Sequence, residues 1–353
     1  MKNKNVLVAP LDWGLGHATR CIPVIRELIL NDCVVSIATS GSAYTLLKSE
    51  FPSLQFFELP SYRANYSQHI PFMLNVLLQL PKFLKVIREE RKETQKIVDE
   101  CDVDIIISDN RYGCRSEEAT SVFVGHQLHI IMPFWLKWLQ PIVNYFNRQY
   151  IKKFDVNWIP DFENDGYAGK LSHPRLTNSK YVGVLSRFTP VTKSAEGFEL
   201  AVILSGPEPQ RTLLEKAVMT QLGRSGIMAI IVRGLPAATS LPMIPGIAVV
   251  NHLPAEKLQS VIANSSVILA RSGYSTVMDL SRLGKKAIFI PTPGQTEQEY
   301  LAQALKKKAV AFCQKQNEFD LAKALKEVEG YKGFTNDDQH DNLLAGAIQQ
   351  LIK

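Results

Sequence analysis

The feature that most constrains this chain is a repeated alternation. Short runs that are apolar at almost every position are separated by helix-like stretches, and they fall into two series. The first holds "NVLVAP", "VVSIAT", "DIIISD" and "SVFVGH" between residues 5 and 126. The second holds "LAVILSG", "MAIIVRG", "GIAVVN", "SVILAR" and "KAIFIP" between residues 200 and 291. A strand that is apolar on both faces must be covered on both faces, and helices lying between successive strands supply that cover. The pattern predicts an α/β fold of two Rossmann-like domains, each a parallel sheet with helices on either side. A length of 353 residues suits two such domains. The stretch Ser186 to Glu199 is polar and without periodicity, so the expected division is 1–187, a linker at 188–198, and 199–353.

Composition excludes several classes of protein. The chain is 46% hydrophobic and 21% charged, the balance of a globular domain with ample core. Its net charge of +6 is spread evenly: Lys and Arg number 23 against 20 acidic residues through residue 197, and 17 against 14 beyond it. No half is basic, so a nucleic-acid partner is not expected. The five cysteines are odd in number and none shares C-x-x-C spacing, which reads as free thiols in a reducing compartment. "MKNKN" leads straight into a strand, the apolar run is too short for a signal peptide, and no run is long enough to span a bilayer. A cytoplasmic setting is the expectation.

In open α/β sheets ligands bind beyond the carboxyl ends of the strands, so the loops there carry the candidates. After the first strand comes Gly14-Leu15-Gly16-His17. Its glycines allow a tight turn into a helix, and His17 then lies in the first turn, where an imidazole can take a proton near neutral pH. The alternative is a histidine that only satisfies loop hydrogen bonds. In the second half, "ILARSGYSTVMDL" runs from a strand through Arg271, Ser272 and Gly273 into a helix, and the amides of Ser272, Gly273, Tyr274 and Ser275 at its start would form an anion site. Asp279 follows one to two turns on, placed to accept two ribose hydroxyls or else simply solvated. "IFIPTPGQTEQEYLA" opens its helix with Gln295, Glu297, Gln298 and Glu299, a cluster suited to a sugar and equally to capping. "ILSGPEPQR" offers Ser205, Gly206 and then Arg211 to a diphosphate.

Taken in order, these segments resemble the GT-B glycosyltransferases of family 28, which include the peptidoglycan N-acetylglucosaminyltransferases, and more distantly the UDP-glycosyltransferases. The resemblance is strongest over Asn251 to Ala302 and includes "GLGHATR" near the start. It implies two Rossmann-like domains facing across a cleft, with the acceptor in the first and the nucleotide sugar in the second. It assigns Asp279 to the donor ribose, where the family usually has the longer Glu. Ser205, Gly206 and Ser272 to Thr276 fall on the diphosphate, Glu297 and Gln298 on the donor sugar, and Asn251, His252 and Leu253 beside the uracil. His17 falls on the glycine-loop histidine with Gly16 before it. Related plant enzymes imply an orienting aspartate at a strand end, which here is Asp109; the alternative is a loop-capping role.

Two departures from the family stand out. Pro207 and Pro209 replace residues that would donate amides to the diphosphate. The acceptor loop reads Gly125, His126, Gln127, so acceptor recognition by His126 and Gln127 is expected to differ. Retaining GT-B enzymes carry a glutamate before the Gly-rich turn that is absent here, which implies inversion. Asp102 to Asp104, "DVD", imitates a metal-binding D-x-D but precedes its strand, so no metal and no cofactor are expected, with the UDP-sugar as co-substrate. The transferred sugar is expected to be a hexose such as N-acetylglucosamine. A nucleotide-sugar hydrolase with water as acceptor, and a non-catalytic nucleotide-sugar-binding protein, remain the alternatives. A dinucleotide oxidoreductase is disfavoured, because the first turn lacks a third glycine and "VVSIATSGS" ends without an acid.

Two further stretches, Ile70 to Lys92 and Met132 to Lys153, mix apolar or aromatic residues with basic ones. They suggest peripheral contact with an anionic membrane at its cytoplasmic face, and hence a lipid-linked or other glycan acceptor. The competing reading is that both are amphipathic helices facing the core.

Overall fold

The computed structural model describes residues 3–64, 72–190, 197–236, 238–335 and 339–353, the last three-residue step from 339 to 341 by backbone alone. These divide into two compact units. The first contains β1 (Asn5–Pro10), α1 (Leu15–Leu30), β2 (Val34–Thr39), α2 (Gly41–Glu50), β3 (Gln55–Glu58), α3 (Phe72–Leu78), α4 (Leu80–Cys101), β4 (Ile105–Asp109), β5 (Thr120–Val124), α5 (Gln140–Ile151), β6 (Val156–Ile159) and β7 (Ser179–Tyr181). The second contains β8 (Leu200–Ile203), α6 (Gln210–Leu222), β9 (Ala229–Val232), β10 (Ile247–Val250), α7 (Ala255–Asn264), β11 (Val267–Ala270), α8 (Tyr274–Arg282), β12 (Lys286–Phe289), α9 (Thr296–Lys307), β13 (Phe312–Cys313) and α10 (Leu321–Val328). The final helix, α11 (Gln339–Ile352), returns to the first unit, where Lys180 Nζ donates to Gln350 Oε1 at 2.5 Å. The expected second domain, 199–353, is therefore too long by this helix. Chain order says nothing about which sheet a terminal amphipathic helix covers.

Both sheets are wholly parallel. The first runs β3-β2-β1-β4-β5-β6-β7 and the second β10-β9-β8-β11-β12-β13. The apolar runs that predicted them are sealed: Leu7, Val8 and Ala9 in β1 and Leu200, Ala201 and Val202 in β8 have no exposed surface. Each buried Leu or Val contributes roughly 1.5–3 kcal/mol relative to exposure, which is why these strands lie at the centre. In each sheet the order reverses beside the first strand, between β1 and β4 and between β8 and β11. Loops leaving those strand ends diverge and open a crevice at the switch point. The Gly14–His17 loop follows β1, Asp109 ends β4, Gly206 follows β8 and Arg271 follows β11, so the fold places the main candidates at the two switch points.

α5 is inverted in polarity. It buries Asn144, Asn147 and Ile151, while Ile142, Tyr145 and Phe146 are exposed. Asn144 bonds both backbone groups of Ile130, and Asn147 bonds the Gln127 carbonyl and the Tyr112 hydroxyl. The inward polar residues thus hold the loop after β5, which leaves the aromatic ones facing out.

Candidate active site

The first cluster lies at the carboxyl ends of β1, β4 and β5. α1 begins at Leu15, and Gly14 precedes it at φ 84°, a left-handed conformation that favours glycine. His17 is the third helical residue. Its Nδ1 lies 2.6 Å from Asp109 Oδ1, while Nε2 has no hydrogen-bond partner among the described residues. Asp109 is fully buried and His17 one-fifth exposed. The short contact to a carboxylate puts the imidazole proton on Nδ1, so Nε2 carries the lone pair, the state a general base requires. The structure thus brings together the two residues that the sequence singled out separately.

Arg20, which the sequence reading passed over, completes the cluster. Its Nε and Nη2 engage both oxygens of Asp109, the latter at 2.5 Å, and Nη2 lies 3.0 Å from His17 Nδ1. Nη1 lies 3.3 Å from His126 Nδ1. The spacing H-A-T-R was the available signal, because residues i and i+3 share a helix face. Burial alone would raise the Asp109 carboxyl; Arg20 and His17 overcome it and hold the group down to about 2. His17 is shifted below its usual range by burial and by the Arg20 cation, against the pull of Asp109. His126 is 4% exposed and lies against Arg20. Gln127 is half-buried, with its carbonyl taken by Asn147.

The loop carrying His17 is anchored from below. Asp12 accepts from Ser40 at 3.0 Å and from Ser61. Arg111, with no exposed surface, donates to the Pro10 and Pro60 carbonyls and to Glu90. Trp13 packs on Phe83 of α4 with ring centroids 5.7 Å apart.

The second cluster lies at the carboxyl ends of β8, β11 and β12. Gly206 stands at φ 105°, and a Cβ there would sit 3.5 Å from Thr292 Oγ1 and 3.9 Å from Arg271 Nε. Both of those atoms are buried and without a hydrogen-bond partner. Unpaired buried polar atoms are costly, so two of them flanking one glycine point to a ligand oxygen that pairs with them. Thr292 was not foreseen; only its place just after β12 hinted at it. Next to this spot α8 starts at Tyr274 with Gly273 as its cap residue and no capping side chain. The first intrahelical bond runs from Val277 N to Gly273 O, so Tyr274, Ser275 and Thr276 form the first turn, whose amides the helix ladder does not use. Asp279 lies half-buried further along α8.

Several expected ligands turn out to be committed to the fold. Arg271 donates through Nη1 to the Ile290 and Pro291 carbonyls and through Nη2 to Gln210 O and Gln316 Oε1, leaving only Nε. Arg211 is held through Nε by Glu208 and through Nη1 by Glu215, and its Nη2 donates to Thr212 Oγ1. Glu208 also accepts from Thr212 N and so caps α6, which closes the helix start that Pro207 and Pro209 had already made a poor anion site. Asn251 accepts from Arg233 and donates to the Ala238 and Ser240 carbonyls, shaping the neighbouring loop, and His252 and Leu253 follow it. Ser272 Oγ donates to the Gln298 carbonyl. Gln298 accepts from Thr292 N and donates to Gln295, and Glu299 accepts from Gly294 N, so the α9 start fixes the Pro-Gly loop. Glu297 is half-buried beside them, and Ser205 is exposed. Asp104 of the D-x-D sequence accepts from Asn5 N at 2.8 Å, at the opposite, amino edge of the sheet.

Two parallel α/β sheets with polar clusters at their switch points define a GT-B fold, and comparison with solved structures gives the same class. The glycotransferase of kitacinnamycin superposes with a TM-score of 0.65 at 13% identity, covering 99% of this chain and 95% of that one. The calicheamicin glycosyltransferase CalG4 gives 0.63 at 12%, covering 100% and 94%, and Acinetobacter baumannii MurG gives 0.60 at 14%, covering 99% of each. At such identities the likeness is one of fold. More specifically, residues 252–350 match the glycosyltransferase family 28 C-terminal domain. A 106-residue stretch is 30% identical to the UDP-N-acetylglucosamine--N-acetylmuramyl-(pentapeptide) pyrophosphoryl-undecaprenol N-acetylglucosamine transferase of Saccharopolyspora erythraea. That stretch spans 29% of this chain and 28% of the relative.

Proposed function

We propose that this protein is an inverting glycosyltransferase that moves a sugar from a UDP-sugar to a hydroxyl of a lipid-linked or membrane-proximal glycan. The observation that carries the reading is His17, with Nδ1 held by buried Asp109 and Nε2 left unpaired at the β1–β4 switch point. In the reaction Nε2 takes the acceptor hydroxyl's proton as that oxygen bonds to the anomeric carbon. The bond from that carbon to the diphosphate breaks on the opposite side, and UDP leaves with the electron pair. The departing charge is met by the α8 amides, by Thr292 Oγ1 and by Arg271 Nε beside Gly206. These donors supply the stabilisation without calling on a metal or other cofactor. Asp279 holds the ribose, and the 251–253 segment lies beside the uracil. UDP is favoured over other nucleotides by the family 28 match and by the substrate named in the Saccharopolyspora relative.

The membrane side of the proposal rests on the outward aromatic face. Phe134 is 92% exposed and Trp138 70%, with Trp135, Ile142, Tyr145 and Phe146 also exposed. Between Met132 and Lys153 there is no Asp or Glu, while Lys137, Arg148, Lys152 and Lys153 are basic. Aromatic rings flanked by cations suit the headgroup region of an anionic leaflet, here the cytoplasmic one. The Ile70–Lys92 stretch contributes less: its residues 70 and 71 lie outside the described chain, and Phe83 and Val86 face the core, leaving Leu78, Leu80 and Leu84 exposed. Among the described residues no helix is long and apolar enough to cross a membrane. The test is incubation with a panel of UDP-, ADP- and GDP-sugars, with and without polyprenyl-linked and soluble glycan acceptors, with products identified by mass. Transfer from a UDP-sugar supports the proposal. Release of free sugar irrespective of acceptor shows a hydrolase instead, and absence of turnover and of UDP binding overturns it.

A further inference from the structure

A buried aspartate beside a histidine ordinarily strengthens that histidine as a base, because the carboxylate stabilises the imidazolium. In this protein the carboxylate is already matched. Arg20 grips both oxygens of Asp109 with Nε and Nη2, and both side chains are sealed from solvent. Protonating His17 would therefore add a second cation to a cluster in which Asp109 is the one anion among the described residues, with a guanidinium nitrogen 3.0 Å from Nδ1.

We propose that Arg20 is a positioning residue that acts through Asp109, fixing the His17 proton on Nδ1 and, on top of the effect of burial, weakening Nε2 as a base. The inference rests on His17 being the base of the proposed transfer. Among the described residues three charged or titratable groups act on His17. Asp109 comes from the end of β4, Arg20 from α1 itself, and His126 from the loop after β5. The Cys21 thiol faces Asp109 Oδ2 at 3.7 Å, and burial keeps it neutral. Asp109 is the only anion among them, and Arg20 spends it.

The consequence is a trade. A histidine paired with an unmatched aspartate is a stronger base but is lost to protonation near neutral pH. Here each molecule has its base in the working form at the cost of basicity. The bond from Arg20 Nη1 towards His126 Nδ1 adds to this, because it ties the loop after β5 to the same guanidinium.

The pH profile of kcat/KM tests the proposal. The wild type should show its acid limb below the free-histidine value of about 6.5. Arg20→Gln keeps donor groups but removes the charge, and its limb should move up by about one pH unit or more. Arg20→Lys restores the charge and should return the limb towards wild type. A purely structural Arg20 would lower turnover equally at all pH values and leave the limb in place, and that outcome overturns the proposal. Should Arg20→Gln fail to fold, or should no sugar be turned over, the imidazole resonances of the wild type decide the matter. His17, assigned by its absence from the His17→Ala spectrum, should titrate below 6.5, and titration above that value overturns the proposal whatever the reaction is. Failure to find turnover, with His17 titrating low, counts against the glycosyltransferase reading and not against Arg20.

Discussion

Replacing Arg271 by methionine separates a residue that holds the fold from one that holds the ligand. Arg271 is 1% exposed. Its four hydrogen bonds tie the end of β11 to the end of β12 at Ile290 (2.9 Å) and Pro291 (3.2 Å), to the first residue of α6 (2.7 Å), and to Gln316 (2.7 Å). Burial lowers the guanidinium to about 10, so it stays charged at neutral pH. A hydrogen bond from a charged donor contributes roughly 1.5–3 kcal/mol, but bonds from one group do not add. Methionine refills the apolar volume and leaves three carbonyls and one amide oxygen unpaired. The expected loss is about 3–5 kcal/mol, the range for breaking a buried charged network. In a domain of this size 1 kcal/mol moves Tm by roughly 2–4 °C, so the transition of the second unit should fall by roughly 6–20 °C. All four tryptophans, Trp13, Trp135, Trp138 and Trp158, belong to the first unit. Calorimetry should therefore show a loss that exceeds any change in the tryptophan fluorescence transition. UDP affinity of the still-folded variant should weaken by about tenfold at most, the share of the one bond available from Nε. An unchanged calorimetric profile with abolished UDP binding would refute this reasoning and return the whole guanidinium to the ligand.

Asp279→Ala should raise the donor KM by about tenfold and lower kcat much less, since a ribose contact is made equally in ground and transition states; an unchanged KM removes the ribose assignment. Trp135→Ser with Trp138→Ser should cut co-sedimentation with anionic vesicles severalfold while leaving the fold intact. Binding of the wild type should weaken between low and moderate salt as the basic residues are screened. Absence of wild-type binding at both salts, with efficient transfer to a soluble acceptor, would remove the membrane from the account.

The strands at the sheet centres were legible because burial on both faces writes itself as an uninterrupted apolar run, as in Val6–Ala9 and Ile105–Ile107. The edges were not: β3 is "QFFE", half polar, and β7 and β13 are three and two residues long. His17 and Asp109 drew attention because one follows the glycine turn after a central strand and the other ends the neighbouring one. Arg20 was overlooked because an arginine inside an amphipathic helix ordinarily faces solvent, and only its i+3 offset from His17 marks it. Arg211 and most of the Arg271 guanidinium show the converse, since their partners are hidden in the sequence and only Nε of Arg271 stays available. A basic residue beside a glycine turn suggests a phosphate partner, yet Glu208 and Glu215 lie at helix spacing from the first, and the second meets backbone carbonyls that no sequence displays. α11 was misplaced for a related reason, since nothing in an amphipathic stripe names the sheet it covers.

Whether His17 is the base of a sugar transfer is decided by the His17→Ala protein. Transfer is measured as the mass of one added sugar on the acceptor with matching release of UDP, alongside UDP affinity by calorimetry. The account predicts turnover reduced by about 100-fold or more, with UDP affinity within about twofold of wild type, because His17 meets the acceptor and not the nucleotide. A His17→Ala protein that keeps most of its transferase activity, or that loses UDP binding along with it, contradicts the assignment.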